Sequence, residues 1–381
     1  MSETADNGRG GLLRGRRVVV AGGGLGGLAA ALACARRGAE VEVLERAPEI
    51  AEVGAGIQVS PNGLRVLSAL GLDAAMQGAS VVAQAVEPMD AISGRPVTRF
   101  DLTRLEGPPY RFFHRADLIG LLLEAARAAG VTVTLGAEVG EVLPDADLVI
   151  GADGIHSRLR PRIGNVEVAE FMGAVAWRAV IERPGAEPVA RVWMAPGRHA
   201  VTYPLTDGRF NIVAVQERSQ WAAEGWQHAD DPGHLRAAFA GLSGRLTGLL
   251  GQVEQVALWG LFRHPVATTW HAGNLAILGD AAHPTLPFLA QGANLAFEDA
   301  WVLADCSDRM ALPEALASYQ RMRRPRVERA IAAANANKRN YHLRGPVRVA
   351  AHLALKTAGR LAPGAYLGRL DWLYGHDVTA G

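Results

Sequence analysis

Arg17-Val-Val-Val-Ala-Gly-Gly-Gly-Leu-Gly-Gly-Leu28 decides the fold. Val18–Ala21 is a short apolar run, suited to a strand buried on both faces. Gly22, Gly24 and Gly27 then fit G-x-G-x-x-G. The first glycine allows a tight turn, the second lets backbone approach a pyrophosphate, and the third lets a helix pack close to the sheet. Leu25–Arg37 reads as a helix of small residues with Gly38 as its C-cap. Its N-terminus offers free N–H groups and a positive dipole end to phosphate. A second apolar strand, Val41–Leu44, ends in Glu45, 18 residues beyond Gly27. That is close to the roughly 20 expected for an acid that binds ribose hydroxyls.

A matching segment lies far along the chain, at Asn274-Leu-Ala-Ile-Leu-Gly-Asp-Ala-Ala-His-Pro-Thr-Leu-Pro-Phe-Leu-Ala-Gln-Gly-Ala-Asn-Leu-Ala-Phe-Glu-Asp-Ala300. It reads as a buried strand, a tight Gly279-Asp280 turn, a Pro-rich loop and a helix. Together the two segments describe one dinucleotide gripped at both ends.

Between them the pattern changes. Val53–Gly63 is a glycine-rich loop, and Pro61-Asn62 opens a helix over Gly63–Leu70. Residues 80–111 are short and strand-like, and His114-Arg-Ala-Asp-Leu118 opens an amphipathic helix to Ala129. Val131–Leu135 and Asp147–Ile150 are strands, the second leading into Gly151-Ala-Asp-Gly154. Further strands are expected at Ala174–Ile181, Arg191–Met194, Ala200–Tyr203 and Arg209–Val215, with a helix near His234–Leu242. After Asp280 the chain is mainly helical. The α/β pieces at the two ends are thus interrupted by β-rich insertions, which implies one nucleotide domain and one smaller sheet domain. The expected bounds are 17–80, 112–167 and 265–381 for the first, 81–111 and 168–264 for the second, with a disordered leader over 1–16.

Composition sets outer limits. The 381 residues suffice for one large or two modest domains, and at 49% hydrophobic they can fill a core. A net charge of +1 points to neither nucleic acid nor acidic membranes. Cys34 and Cys306 give no metal or disulfide pattern, so a reducing cytoplasm is the simplest setting. No uncharged apolar stretch approaches the 18 residues of a membrane span, and the leader lacks the apolar core of a signal peptide. Arg344–Leu370 is basic and apolar, but Gly345, Pro346, Gly359, Pro363 and Gly364 are expected to break any long amphipathic helix there.

Gly22-x-Gly24-x-x-Gly27, Asp153-Gly154 and Gly279-Asp280 resemble the three sequence marks of the single-component FAD-dependent aromatic hydroxylases, the para-hydroxybenzoate hydroxylase class. Gly54-Ala-Gly-Ile, Leu289-Ala-Gln-Gly292 and the Trp-Leu-Tyr-Gly-His-Asp377 ending resemble its salicylate, 3-hydroxybenzoate and 6-hydroxynicotinate hydroxylase branch. The resemblance spans residues 17–377. It implies an α/β fold, with a Rossmann-like FAD-binding domain interleaved with a smaller β-sheet substrate domain and a helical C-terminus. It also implies noncovalent FAD, NADH or NADPH as a transient co-substrate, O2, a small aromatic substrate, and a monomer or homodimer.

Site roles follow from the resemblance. Gly22, Gly24, Leu25 and Gly27 meet the pyrophosphate region, and Glu45 with Arg46 the adenosine side. Arg115 is similar to an arginine that holds the phosphate-ribityl side, and Asp153 lies near the pyrophosphate. Asp280 bonds the ribityl chain, and backbone around Gly292, Ala293 and Asn294 faces the isoalloxazine ring. His199 and Tyr203, four residues apart on an expected strand, share one face. They resemble the branch's pocket pair, which orients or deprotonates a phenol. Arg178 faces either flavin or a substrate carboxylate, while His283 lies in the Pro loop over the flavin.

Gln58 and Phe288 stand where hydroxynicotinate enzymes carry histidines, which favours a carbocyclic substrate such as salicylate, with Pro287 and Phe288 as an apolar wall. The implied reaction is hydroxylation through a flavin C4a-hydroperoxide. The alternatives are a monooxygenase of a natural product or N-heteroaromatic, and a flavin oxidase or halogenase. Against the halogenase, the only lysines, Lys338 and Lys356, lie in the helical C-terminal region.

Overall fold

The computed structural model describes residues 11–50, 55–219, 228–362 and 364–380. Val18, Val19 and Val20 are fully buried at the centre of a six-stranded sheet. Its strands run in the order His271–Ala272, Leu275–Ile277, Leu148–Gly151, Arg17–Ala21, Glu40–Glu45, Thr132–Leu135. All neighbours are parallel except the edge hairpin of the first two. The strand order turns at Arg17–Ala21: the next strand in sequence lies on one side and Leu148–Gly151 on the other. The crevice beyond the carboxyl ends at such a point is where open α/β sheets bind ligands.

A nine-stranded, mostly antiparallel sheet draws its strands from residues 85–101 and 170–263. Alternation gives it two different faces. Trp177, Trp193, Phe210 and Ile212 pack with Leu235, Phe239 and Leu246 from two short helices in one apolar cluster. The intervening Arg178, His199, Val201, Tyr203, Val213 and Val215 line a cavity. Gly56–Val59, Arg111–His114 and Ser80–Val82 form a separate three-stranded sheet. The Gly56 N–H donates to Asn211 Oδ1 at 2.7 Å and so ties it to the large sheet.

Four local readings are corrected. Gly56–Val59 is a strand paired with Arg111–His114, not loop, because Ile57 and Val59 pack inward despite the glycines; residues 51–54 lie outside the described residues. The helix expected near His234–Leu242 is Pro232–Ala238, started by Pro232 and by Asp231, whose side chain accepts the Gly233 N–H. Residues 11–16 are not a disordered leader. Leu13 is buried, and the Leu12 and Leu13 N–H groups donate to Asp308 O and Oδ1; residues 1–10 lie outside the described residues. Gly345–Leu361 is a continuous 17-residue helix with no buried residue. Pro346 occupies its first turn, where a missing N–H costs nothing, and Gly359 its last.

Helices Gly292–Arg309 and Leu312–Tyr341 close the molecule around a buried charge cluster. Glu298, Asp299 and Arg323 are each no more than 1% exposed. Arg323 bridges Glu298 at 2.6 Å and Asp299 at 2.8 Å. Arg326 and Asn62 also bond Glu298. Asp299 Oδ2 accepts from the Gly279 N–H at 3.1 Å and lies 2.5 Å from His283 Nε2. Burial alone would raise the Asp299 carboxyl, but His283 and Arg323 outweigh it and hold it at about 2.

Arg323→Met leaves two buried carboxylates without their shared cation. Loss of one partner from such a pair costs about 3–5 kcal/mol, to be read from urea unfolding. The contribution of Asp299 is complete above the unfolded carboxylate value of about 3.9 and is lost as pH falls through about 2. Wild-type unfolding free energy should therefore drop more steeply over that acid window than that of Arg323→Met.

Candidate active site

The turn Gly22–Gly24 and the first helix, Leu25–Ala35, carry the N-terminal motif into the crevice. Gly22 has φ +108°, and a Cβ there would lie 2.3 Å from Ala152 O. Protein packing thus explains the first glycine. Gly24 is different: a Cβ would meet no protein atom within 4 Å. The fold does not require glycine there, whereas a ligand pressed against the backbone does.

Two joined cavities run from this turn. One, of about 220 Å³, is lined by Gly22, Glu45, Arg46, Arg115, Asp153 and neighbours. The other, of about 250 Å³, passes between the turn and the large sheet. The two share Gly24, Arg115, Ala152 and Gly154. Glu45 accepts the Gly23 N–H (2.6 Å) and the Ala47 N–H (2.8 Å), so its carboxylate also shapes the turn. Asp153 Oδ2 accepts from Arg158 and Leu159 N–H groups, while its buried Oδ1 has no partner among the described residues. The elongated shape suits an anion-bearing dinucleotide: a helix N-terminus and Arg115 lie where the chambers join, and polar groups line the outer chamber.

The second cavity gathers most of the expected flavin-side and substrate-side residues. Gln58, Arg115, Arg178, His199, Tyr203, Asp280, Pro287, Gly292 and Ala293 all line it. Three expected residues, Gly27, Asn294 and Phe288, stand back from it. Gly27 packs the helix onto the turn, where a Cβ would lie 2.0 Å from Gly22 O. Asn294 is fully buried; its side chain accepts from the Ser60 N–H and donates to Gln58 O and Ala290 O. It holds Ala290 at φ +52°, a strained conformation on the cavity rim. Phe288 lies behind His199, with ring centroids 5.7 Å apart.

Electrostatics separate the titratable groups. Asp280 is open to the cavity, yet the protein around it pushes its carboxyl up, against the pull of His283, Arg115, His264 and Arg178. Burial raises the Tyr203 phenol far above its ordinary value, although Arg178 and a hydrogen bond from Gln58 oppose it. Tyr203 is therefore a neutral hydrogen-bonding group at physiological pH. Arg178 stacks 4.4 Å over Trp259.

A third chamber of about 250 Å³ adjoins the second and shares Gln58, Val201, Pro287 and Ala290 with it. Val86, Leu102, Val192, Met194, Leu355 and Leu370 typify its lining, which includes no Asp, Glu, Lys or Arg among the described residues.

The chain matches the FAD binding domain family over residues 16–147 and 144–334. It is 35% identical to a 3-amino-4-hydroxybenzoate 2-monooxygenase of Streptomyces platensis, covering 95% of this chain and 96% of that one. The chain belongs to the FAD-dependent aromatic hydroxylases. The hydroxylase is also 33% identical to a 3-hydroxybenzoate 6-hydroxylase of Polaromonas naphthalenivorans, over 95% and 96% of the two chains. Its fold matches a salicylate hydroxylase substrate complex with a TM-score of 0.78 at 24% identity, covering 96% of each chain. Klebsiella pneumoniae HpxO complexed with FAD and uric acid matches with a TM-score of 0.79 at 25% identity, over 92% of this chain and 95% of that one. FAD is the cofactor of the hydroxylase, as the resemblance implied.

Sequence reasoning missed His342 and Glu217. His342 Nε2 lies 2.7 Å from His199 Nδ1, and His342 Nδ1 lies 2.8 Å from Glu217 Oε1. No spacing signals this, because the two histidines stand 143 residues apart and meet only when the long helix folds back.

Gly24→Val should leave the secondary structure and unfolding midpoint of the FAD-free protein unchanged, yet weaken FAD binding at least about tenfold, or roughly 1.4 kcal/mol. Gly22→Ala should instead destabilise the fold itself. Asp280→Ala removes a charge-assisted acceptor worth about 1.5–3 kcal/mol, so FAD affinity should fall roughly 10- to 100-fold by fluorescence titration. Full retention of FAD after dialysis would show that Asp280 makes no such bond.

Proposed function

We propose that this hydroxylase is an NAD(P)H-using monooxygenase of a small electron-rich aromatic, a hydroxybenzoate of the salicylate type. The observation that carries the reading is the placement of His199 and Tyr203: one strand presents both to the cavity that Gly24, Asp280 and Gly292 also line. FAD, when bound, would supply the oxygen-transfer chemistry, with NAD(P)H as reductant and O2 as oxidant. The remaining work belongs to the chain.

Gly22, Gly24, Leu25, Arg115 and Asp153 would hold the cofactor's phosphates, Glu45 and Arg46 its adenosine end, and Asp280, Gly292 and Ala293 its ribityl and ring portion. His199 accepts the proton of the ring hydroxyl, which makes the ring electron-rich. An imidazole is the side chain suited to general-base work near neutral pH. Tyr203, whose phenol stays protonated, donates to the resulting oxyanion and positions it, and Gln58 orients Tyr203. Arg178 is the cation that balances a carboxylate on the ring. Apolar Val201, Val213, Val215 and Pro287 keep the chamber dry, which strengthens each of these interactions. The third chamber gives room for apolar ring substituents next to Gln58 and Pro287.

The test is NADH and NADPH oxidation with a panel of salicylate, 3-hydroxybenzoate, 3-amino-4-hydroxybenzoate, 6-hydroxynicotinate and alkylated hydroxybenzoates, with products identified. At least one hydroxybenzoate should stimulate oxidation and emerge with one added oxygen. His199→Asn should slow hydroxylation about 100- to 10,000-fold with FAD still bound. Tyr203→Phe should mainly lower product formed per NAD(P)H consumed. The double variant should lose less than the product of the single losses. Near-normal rate and coupling in both single variants would reduce the pair to packing.

A further inference from the structure

His199, His342 and Glu217 form an unbroken line of hydrogen bonds from the cavity wall to the protein surface. The two imidazoles are nearly sealed, at 2% and 6% exposure. The far end is open: the Glu217 side chain is 40% exposed, and Arg344 donates to its Oε2 at 2.7 Å. Phe288, Tyr341 and His342 pack against the His199 ring at centroid distances of 5.7, 5.1 and 4.9 Å. The other titratable or charged groups that line the cavity are Arg115, Arg178, Tyr203 and Asp280. Arg198, next in sequence, lies over Phe239 on the other face of the strand.

The surface carboxylate fixes the tautomer of both rings. Burial tends to raise the Glu217 carboxyl, but His342 and Arg344 outweigh it and keep it below the ordinary value, hence ionised. An ionised carboxylate only accepts hydrogen bonds. In the neutral His342 ring the nitrogen facing that carboxylate, Nδ1, carries the hydrogen, and Nε2 presents a lone pair. His199 Nδ1 must then donate to that lone pair. The lone pair of His199 is left on Nε2, and the ring is set as a base.

Building on the hydroxybenzoate reading, we propose that Glu217 and His342 are the proton exit of this hydroxylase: they hold His199 in its basic tautomer and carry the substrate's hydroxyl proton to solvent. When His199 Nε2 takes that proton, the O–H bond breaks and its electron pair stays on oxygen as phenolate. His199 Nδ1 passes its hydrogen to His342 Nε2, His342 Nδ1 passes its hydrogen to Glu217, and Glu217 releases one proton to water. One proton enters the line and one leaves. Both rings end in the opposite tautomer, and the reverse transfer that reprotonates the product restores them. Glu217 and His342 are positioning and relay residues, since neither lines the flavin cavity.

Nitrogen NMR of the FAD-loaded protein labelled at histidine tests the tautomer without turnover. Above the ordinary imidazole value of about 6.5, His199 should carry its hydrogen on Nδ1 in wild type and lose that preference in Glu217→Gln. A hydrogen on Nε2 in wild type, or an unchanged preference in Glu217→Gln, overturns the assignment. With the best aromatic from the panel, Glu217→Gln should cut coupled hydroxylation about tenfold or more, and Glu217→Asp should restore most of it. The acid limb of its pH profile should move to lower pH, because the carboxylate that favours the imidazolium is gone. FAD affinity should stay within twofold. His342→Phe, which keeps a ring against His199, should behave like Glu217→Gln. A normal rate and an unmoved acid limb in both variants would overturn the exit. If no aromatic is hydroxylated by wild type, the hydroxybenzoate reading fails by itself, and the NMR result still decides the tautomer.

Discussion

Arg323, sealed between Glu298 and Asp299, is the constraint on which the site depends. The two acids are adjacent on one helix but serve different parts of the fold. Glu298 reaches Asn62, and so the helix Pro61–Ala69 that follows strand Gly56–Val59. Asp299 reaches Gly279 and His283, and so the turn that presents Asp280 to the cavity. Burying these charges costs desolvation free energy, which their mutual attraction and added hydrogen bonds offset only when every member is in place. That makes the cluster a poor source of net stability and a strict locator of backbone. It fixes where the Asp280 turn sits relative to the first helix, whose own position follows from strand packing.

The cavity between those elements has two kinds of wall. One is backbone and charge: the glycine turn, Arg115, Asp280 and the start of helix Gly292–Arg309. The other is one face of the large sheet, where Val201, Val213 and Val215 alternate with residues that build an apolar core on the far side. A period of two lets one strand serve both purposes. It lets Arg198–Pro204 offer His199 and Tyr203 to the cavity while Ala200 sits in the core behind. Sheet strands are stiff mounts, suited to side chains whose positions must hold to a fraction of an ångström.

Two buried aromatic groups on one strand thus acquire unequal chemistry from their surroundings. Tyr203 is enclosed, and its phenol is driven toward the neutral form. His199 is enclosed as well, but it hydrogen-bonds to a second imidazole backed by a carboxylate at the surface. The difference lies in what stands behind each ring.

The sequence by itself determined the nucleotide unit. Val18–Ala21, the three glycines, the small-residue helix and Glu45 are contiguous, and each obeys a local rule of burial, turn geometry or helix packing. It also put Asp280 at a turn and His199 four residues from Tyr203, from which strand period places both on one face. Local rules misjudged Gly56–Val59 and Gly345–Leu361, because glycine and proline weaken an element without forbidding it when packing or a first-turn position accommodates them. Tertiary structure alone decided the rest. Arg323 finds Glu298 and Asp299, His283 finds Asp299, and His342 finds His199 and Glu217 only after the long C-terminal helix packs back across both sheets. Such contacts follow from the three-dimensional path of the chain, and no periodicity or spacing along it encodes them.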